Sequence, residues 1–298
     1  MTENIWSKHS MPCKSPLKYV GGKGKLLEHI VPYIPETTDV IIEPFCGSAA
    51  LSFSQDKPFY LSDMSPELIN FMKELRDNPY KLYTEAVKLS QSHSKEFYLE
   101  ARQWDRSVGF NTSQPYPRIL RAARYLYIVY YGFNGLYRVN QKGYCNTPYG
   151  GDNRKYPDNI EQMLKDASIH LNIWCKGIFC QEFDDMSQLE SIIDSGNEAF
   201  VFIDPPYEEG DNGKKVFQEY TPTKIDSKFT ERLVSYLDNL NAAGVPFLMT
   251  NTSCKYVKET YNKWDIKDVP VNYVVGADKE RTGSKFEMFV SNRNSNGS

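Results

Sequence analysis

A run of five apolar residues, Ala199 to Ile203, is followed at once by Asp204 and by two consecutive prolines. An uninterrupted apolar run of this length is typical of a strand that is buried in a parallel sheet. The prolines end the strand, because proline lacks the amide hydrogen that a sheet needs. In open α/β sheets, ligands bind at the carboxyl ends of the strands. The run therefore predicts an α/β fold with a ligand site near Asp204.

Strand-like runs alternate with helical patterns over most of the chain, at residues 39–45, 58–63, 177–182, 199–203, 246–250, 265–271 and 285–291. This alternation predicts a doubly wound, mostly parallel sheet. Residues 72–164 are mostly helical and lack comparable strands, and within them residues 132–159 have the composition of a loop or hairpin. We therefore expect a discontinuous sheet domain, formed by residues 1–71 and 165–298, with an inserted, mainly helical domain at residues 72–164.

Two other predicted strands end in residues suited to a ligand. The strand at 39–45 runs into Gly47, Ser48 and Ala49, whose small side chains allow the backbone to approach a ligand closely. The next strand ends at Asp63, about 20 residues after the small-residue loop. This is the spacing expected for a carboxylate that binds a ribose. Asp63 is also placed to cap the helix that follows it, and both roles are compatible.

The composition of the chain is compatible with an intracellular protein that has an α/β fold. With 298 residues, of which 40% are hydrophobic and 24% charged, the chain can bury one large core or a core with a smaller insert. The first residues lack the apolar segment of a signal peptide, and no run reaches the length of a membrane span. The six cysteines lack paired Cys-x-x-Cys spacing. We therefore expect a cytoplasmic protein without a structural metal or a disulfide.

The net charge of −3 conceals a segregation of charges along the chain. No acid lies between Glu3 and Glu28 or between Asp105 and Asp152, and both stretches carry several lysines or arginines. No base lies between Lys176 and Lys214, a stretch rich in acids. This pattern predicts one basic and one acidic face, and a basic face suits nucleic acid. Alternatively, these charged residues belong to separate solvated faces that share no function.

Several motifs follow one another along the chain, first Lys18-Tyr19-Val20-Gly21-Gly22-Lys23, then Glu43-Pro44-Phe45-Cys46-Gly47 and later Asp204-Pro205-Pro206-Tyr207. The first resembles the N-terminal signature of the Dam-type (D12 class) N6-adenine DNA methyltransferases, and the second resembles the cofactor loop of that family. Asp204-Pro205-Pro206-Tyr207 matches its catalytic motif, and residues 131–140 and 146–150 resemble its DNA-recognition segment. The resemblance runs from about residue 15 to about residue 292. Ala49 departs from the pattern, since a second glycine is usual there, and we expect a slightly altered loop that still binds.

The resemblance implies S-adenosylmethionine as the cofactor and double-stranded DNA as the partner, in a bacterial or phage-infected cell and close to the nucleoid. The implied cofactor-binding residues are Tyr19, Lys23, Phe45, Gly47, Asp63 and Asp204. The implied DNA-binding residues are Lys18, Arg124, Phe133, Asn134, Leu136, Arg138, Asn140 and Pro148. Among these, Lys18, Leu136, Arg138 and Pro148 match positions that face the bases of a GATC site. We expect Arg124 to contact phosphate.

The catalytic motif has a chemical rationale. The lone pair of the adenine amine is delocalised into the ring, so an enzyme must orient this nitrogen toward the methyl donor. Asp204 and the carbonyl of Pro205 are suited to accept its two N–H bonds. A base inside a duplex must first be flipped out, and Tyr207 would stack on it. Phe133 matches the intercalating aromatic of the family and would fill the vacated stack, with a packing role as the alternative.

Other functions remain open from the sequence. Cytosine-N4 enzymes are chemically close, but they more often carry serine at the position of Asp204. A catalytically silent DNA-binding regulator and an RNA or protein methyltransferase would use a similar sheet. A nicotinamide-dependent oxidoreductase would require Gly-x-Gly-x-x-Gly, which the loop lacks. A cognate restriction endonuclease is a further possible partner, because the sequence does not separate a solitary enzyme from a member of a restriction pair.

Overall fold

The structure is a computed structural model, and it describes residues 12–18, 21–107, 110, 116–207, 227–271 and 285–293. Within this part of the chain, seven strands form one sheet in the order β3-β2-β1-β4-β5-β7-β6. The strands are β1 (Val40–Glu43), β2 (Phe59–Asp63), β3 (Cys175–Cys180), β4 (Ala199–Ile203), β5 (Phe247–Thr252), β6 (Asp265–Val271) and β7 (Lys285–Ser291). Strands β1 to β5 pair in parallel, and β7 is antiparallel to both of its neighbours. The predicted mostly parallel sheet is confirmed.

Both faces of the sheet are covered, as expected for a doubly wound fold. Every residue of β4 is buried. Phe200 and Phe202 belong to the core on one face, and Val201 and Ile203 belong to the core on the other. This division follows from the two-residue period of a strand. The uninterrupted apolar run thus reflects burial on both sides.

Ten α-helices lie in the described residues. They are α1 (Leu27–Ile30), α2 (Ala50–Phe53), α3 (Pro66–Asp77), α4 (Pro79–Gln91), α5 (Lys95–Gln103), α6 (Arg118–Tyr131), α7 (Ile160–Trp174), α8 (Ser187–Asp194), α9 (Ser227–Ala242) and α10 (Lys255–Thr260). Serine side chains cap two of them. Ser65 accepts from Leu68 N before α3, and Ser94 accepts from Phe97 N before α5.

The strand order creates a crevice at the carboxyl ends of β1 and β4. These strands are neighbours, and the chain proceeds from β1 outward to β2 and from β4 outward to β5 in the opposite direction. Such a reversal of strand order is where open α/β sheets bind ligands. Glu43 ends β1 and Asp204 follows β4, so both lie at this crevice.

The helical segment packs directly on the sheet domain. Helices α4, α5 and α6 contact one another or α3 and α7, and a single hydrophobic core joins Tyr98 and Tyr127 of this segment to Phe200 of β4. Because both parts share this core, the division into a sheet domain and an insert at residues 72–164 stays a prediction. In the expected loop or hairpin at 132–159, isolated bridges join Gly132 to Tyr149 and Val139 to Cys145.

No helix in the described residues is both long enough and apolar enough to cross a membrane.

Candidate active site

Asp204 lies at the carboxyl end of β4 and is held from two sides. Thr250 in β5 donates from Oγ1 to Oδ1 of Asp204 at 2.7 Å. The ammonium of Lys23 lies 2.8 Å from the same oxygen, and the Lys23 side chain is 4% exposed against 23% for Asp204. The carboxylate is therefore fixed in direction while part of it remains accessible. Of the N-terminal motif that supplies Lys23, Tyr19 lies outside the described residues.

Tyr207 joins the same group through Glu287 in β7. Its hydroxyl donates to Oε2 of Glu287 at 2.8 Å. The Lys23 ammonium lies 3.8 Å from that oxygen and 4.9 Å from the centre of the Tyr207 ring. Burial raises the pKa of the Tyr207 hydroxyl well above its usual value, and the negative charges of Asp204 and Glu287 raise it further. The hydroxyl therefore stays a hydrogen-bond donor.

Sequence reasoning missed Glu287 and Thr250. The signal for Glu287 was a single acid in the otherwise apolar run Phe286 to Val290, and this acid is only 3% exposed. A buried acid in a strand requires a partner, which pointed to a cation or a donor elsewhere in the chain. Nothing in the sequence identified Lys23 as that cation.

Glu43, which ends β1, is a second buried acid beside the crevice. Its Oε1 accepts from the backbone nitrogen of Ser52 at 2.9 Å and from the Ser52 hydroxyl at 2.5 Å. Burial raises the pKa of Glu43 to about 7; the hydrogen bonds from Ser52 oppose the shift, and the charge of Asp204 adds to it. A large fraction of Glu43 is therefore protonated at neutral pH.

Asp63 organises the loops at the ends of β1 and β2. Its Oδ2 accepts from the backbone nitrogen of Gly47 at 3.2 Å, and its Oδ1 accepts from that of Ser65 at 2.9 Å. Burial is the main cause of its raised pKa, which these backbone bonds oppose. The cap of α3 is Ser65 and not Asp63. Asp63 is thus placed beside the small-residue loop, where the cofactor was expected.

The small-residue loop departs from the family pattern at a strained position. Ala49 has φ 53° and ψ 38°, the left-handed conformation that glycine adopts without cost. Gly47 also has a positive φ, of 46°. At the start of the loop, Phe45 stacks on Phe183 with ring centres 5.0 Å apart. The loop therefore keeps a backbone shape that suits glycine although alanine occupies one of its turns.

A compact group of predicted DNA contacts lies at one turn of the helical segment. Phe133 is 50% exposed, and the next residue, Asn134, is exposed with a φ of 57°. The backbone nitrogen of Phe133 donates to the carbonyl of Pro148 at 2.9 Å, and Pro148 is exposed. A side chain on Gly135 would begin 3.0 Å from Cγ of Lys18. Lys18, Phe133, Asn134 and Pro148 are thus neighbours.

Arg154 and Arg138 lie near this group of residues. Arg154 is close to Lys18: partial burial lowers the pKa of Lys18, and the positive charge of Arg154 lowers it further. Sequence reasoning missed Arg154, whose only signal was its place beside Lys155 in the loop. Arg138 is partly exposed, and its backbone nitrogen donates to Oγ1 of Thr147 at 2.9 Å. Asn140, which was expected to bind DNA, accepts from two backbone nitrogens of its own turn.

The structure corrects the prediction for Arg124. This side chain is completely buried, donates to the carbonyls of Ala101 and Arg102, and lies 3.1 Å from the carboxylate of Asp105. A guanidinium enclosed in this way cannot contact phosphate in this conformation, so Arg124 has a structural role. Leu136 is also buried, at 3% exposed, and does not face a base here.

Two further arginines of helix α6 also pair with acids. Arg118, Arg121 and Arg124 recur every three residues and lie on the side of α6 that meets acidic partners. Arg118 lies 3.3 Å from Glu74, and Arg121 forms an ion pair with Glu67. The predicted basic face therefore does not include the buried Arg121 and Arg124, whereas Arg118 is 55% exposed and pairs with Glu74.

Known proteins resemble this chain over much of its length. A family model described as D12 class N6 adenine-specific DNA methyltransferase matches residues 19–275. The type II methyltransferase M1.LlaDCHI of Lactococcus lactis subsp. cremoris is 30% identical over 291 residues, which cover 97% of this chain and 99% of that protein. A DNA N-6-adenine-methyltransferase of Escherichia phage P1 is 32% identical over 84% of this chain and 31% of its own length. A DNA adenine methylase of Vibrio cholerae is 30% identical over 64% of each chain.

Proposed function

Since the chain belongs to the D12 class of N6 adenine-specific DNA methyltransferases, we propose that its methyl donor is S-adenosylmethionine and that its target is an adenine flipped out of double-stranded GATC. The observation that carries this proposal is the geometry of Asp204. Its carboxylate stands at the carboxyl end of β4, fixed by Lys23 and Thr250 and still partly exposed. A carboxylate at this position that is partly exposed suits the orientation of an amine.

The residues at the crevice fit the proposed cofactor. Asp63 brings a carboxylate beside the loop of Gly47, a suitable pair for a ribose and the backbone that surrounds it. Asp204 and Glu287 together carry one more negative charge than Lys23 neutralises, which favours a cationic ligand. We assign cofactor binding to Tyr19, Lys23, Phe45, Gly47, Asp63 and Asp204. When bound, S-adenosylmethionine supplies an electrophilic methyl group attached to a positively charged sulfur.

Asp204 acts on the adenine amine by alignment. Its carboxylate and the carbonyl of Pro205 accept the two N–H bonds, which directs the nitrogen lone pair toward the methyl group. The amine would use this lone pair to bond to the methyl group, and the electrons of the breaking bond would remain on the methyl donor. The methylated nitrogen then loses one proton to Asp204 or to water. Tyr207 stacks on the flipped base, and its hydroxyl is held by Glu287.

The exposed turn of the helical segment is the proposed DNA-reading surface. Phe133 is exposed and able to enter the space that the flipped base leaves. Lys18 and Arg138 are suited to the acceptor edge of guanine, and Pro148 to a thymine methyl group. Arg154 lies beside Lys18 and is a further cation for phosphate. Asn134 completes this surface.

Modification mapping tests the proposal. DNA from cells that express the protein should carry N6-methyladenine in GATC, and DNA from cells that express Asp204→Ala should carry none. Asp204→Asn retains an acceptor oxygen but loses the charge, so we also expect severe loss from it. Both variants should bind DNA with little change. Methylation of another motif would refute GATC but not the chemistry, whereas turnover near that of the wild type by Asp204→Ala, measured with tritiated cofactor, would refute the role of Asp204.

A further inference from the structure

We infer that Glu287 is a positioning residue that receives the Lys23 ammonium when the adenine amine binds, and so frees Asp204 to orient that amine. The inference rests on the proposed function, because it concerns the same carboxylate. It assigns a role to a residue that the catalytic motif does not contain. It also predicts that Lys23 moves during the reaction cycle.

The arrangement of the three charged groups suggests this transfer. The Lys23 ammonium lies between two carboxylates, 2.8 Å from Asp204 and 3.8 Å from Glu287. The carbonyl of Gly21, at 2.7 Å, anchors the same ammonium. Asp204 is 23% exposed, whereas the side chains of Lys23 and Glu287 are each 4% exposed. Asp204 is therefore the carboxylate that a substrate can reach, and Glu287 is the one behind it.

Binding of the amine creates competition for Asp204. In the structure, one oxygen of this carboxylate already receives Thr250 and the Lys23 ammonium. An ammonium draws electron density from a carboxylate and competes with a weaker neutral donor such as an amine. A buried ammonium that left Asp204 without another carboxylate to pair with would be strongly disfavoured. Glu287 provides that acceptor after a movement of about 1 Å, the difference between the two distances.

Tyr207 links this movement to the position of the base. Its hydroxyl donates to Oε2 of Glu287, the oxygen that would receive the ammonium. The ammonium is already 4.9 Å from the centre of the Tyr207 ring. An aromatic ring stabilises a cation at this distance, so the Tyr207 ring can stay in contact with the ammonium as it moves from Asp204 to Glu287. Glu287 thus holds the stacking ring and the displaced cation together.

Glu287→Gln is the direct test. Glutamine keeps an oxygen for the Tyr207 hydroxyl but has no charge for the ammonium. Single-turnover methyl transfer to a GATC duplex, with saturating tritiated S-adenosylmethionine, should slow by roughly tenfold or more. Dissociation constants for the cofactor, from calorimetry, and for DNA should remain within about twofold of the wild-type values, since Asp204 and Lys23 still form their pair. Glu67→Gln, which alters a buried ion pair elsewhere, should leave the single-turnover rate unchanged.

A double-mutant cycle with Lys23→Met separates this role from simple packing. Without the ammonium, Asp204 has no competitor, so adding Glu287→Gln should cost about twofold or less. An equal fold loss in both backgrounds would overturn the inference. Glu287→Asp keeps the charge and provides a second test if Glu287→Gln does not fold. Its single-turnover rate should be higher than that of Glu287→Gln. A folded Glu287→Asp protein that lost as much rate as Glu287→Gln would contradict the inference.

The outcomes also distinguish the inference from the proposed function. If Glu287→Gln were fully active and Asp204→Ala inactive, the role of Glu287 would be refuted and the proposed function would stand. An active Asp204→Ala enzyme would remove the proposed mechanism itself.

Discussion

Asp63 accepts hydrogen bonds from the backbone nitrogens of Gly47 and Ser65, and it stands where a ribose is expected. Asp63→Ala should therefore weaken S-adenosylmethionine binding by about 1.5–3 kcal/mol, because a pair of hydroxyls loses its charged acceptor. Calorimetry measures this change directly. Asp63→Asn keeps an acceptor for one backbone nitrogen and is the matched control for loop structure. An unchanged dissociation constant in a folded Asp63→Ala protein would limit Asp63 to organising the loops.

Glu43 contributes a pH dependence to stability. Its pKa is raised from 4.5 to about 7, so the folded protein binds this proton more tightly than the unfolded chain does. The stabilisation is complete below pH 4.5 and is lost as the pH rises through 7. Glu43→Gln cannot titrate, and its Oε1 can still accept from Ser52.

Comparison of urea unfolding for the two proteins isolates this contribution, since the other titrating groups are common to both. The free energy of unfolding of Glu43→Gln, relative to wild type, should rise between pH 4.5 and pH 8 by an amount on the order of 3 kcal/mol. A constant difference across this range would show that Glu43 titrates normally.

At the scale of elements, helix α6 is attached through a buried cation. Arg124 donates to two carbonyls at the end of α5 and pairs with Asp105. Arg124→Met should lower the free energy of unfolding by about 3–5 kcal/mol, because Asp105 is left buried without its partner. Arg118→Met is the control: Arg118 is 55% exposed, and its loss should cost less than about 1 kcal/mol. Equal costs in urea unfolding would contradict the structural role of Arg124.

The loop that carries Arg138 should read sequence, and the loop that carries Arg154 should bind phosphate. Arg138→Ala should lose about 1–3 kcal/mol of discrimination at one base pair. Arg154→Ala should weaken binding to all sequences alike and reduce the salt dependence by about one phosphate contact. Competition between duplexes with single-base substitutions measures both effects. If Arg138→Ala kept its preference at every position of the site, the base-reading role would be refuted.

For the whole molecule, the continuity of the core predicts cooperative unfolding. The helical segment and one face of the sheet share a single hydrophobic core, which includes Tyr127 and Phe200. Trp104 packs beside Phe97 in the helical segment, and Trp264 packs beside Phe247 of the sheet. Variants in which one of these two is the only tryptophan of the chain should therefore show the same urea midpoint. Two separated midpoints would mean that residues 72–164 form an independently stable domain.

The local sequence determined several strands and the loops that follow them. The apolar run of β4, its termination by two prolines and the small-residue loop after β1 are patterns of neighbouring residues, and each predicted the local backbone correctly. The motifs likewise indicated the family, because their residues are close together in the chain. Strand ends are encoded locally, so the position of Asp204 at the carboxyl end of a strand was predictable before any tertiary contact was known.

Only the tertiary structure decided which charges meet. Lys23, Asp204 and Glu287 come from distant parts of the chain, and no periodicity pairs them. The stretch without acids between Asp105 and Asp152 predicted a basic face, but it could not reveal that acids of other elements pair with the arginines of α6. The physical reason is that a side chain's charge is local, whereas its burial and its partner depend on the packing of the whole chain.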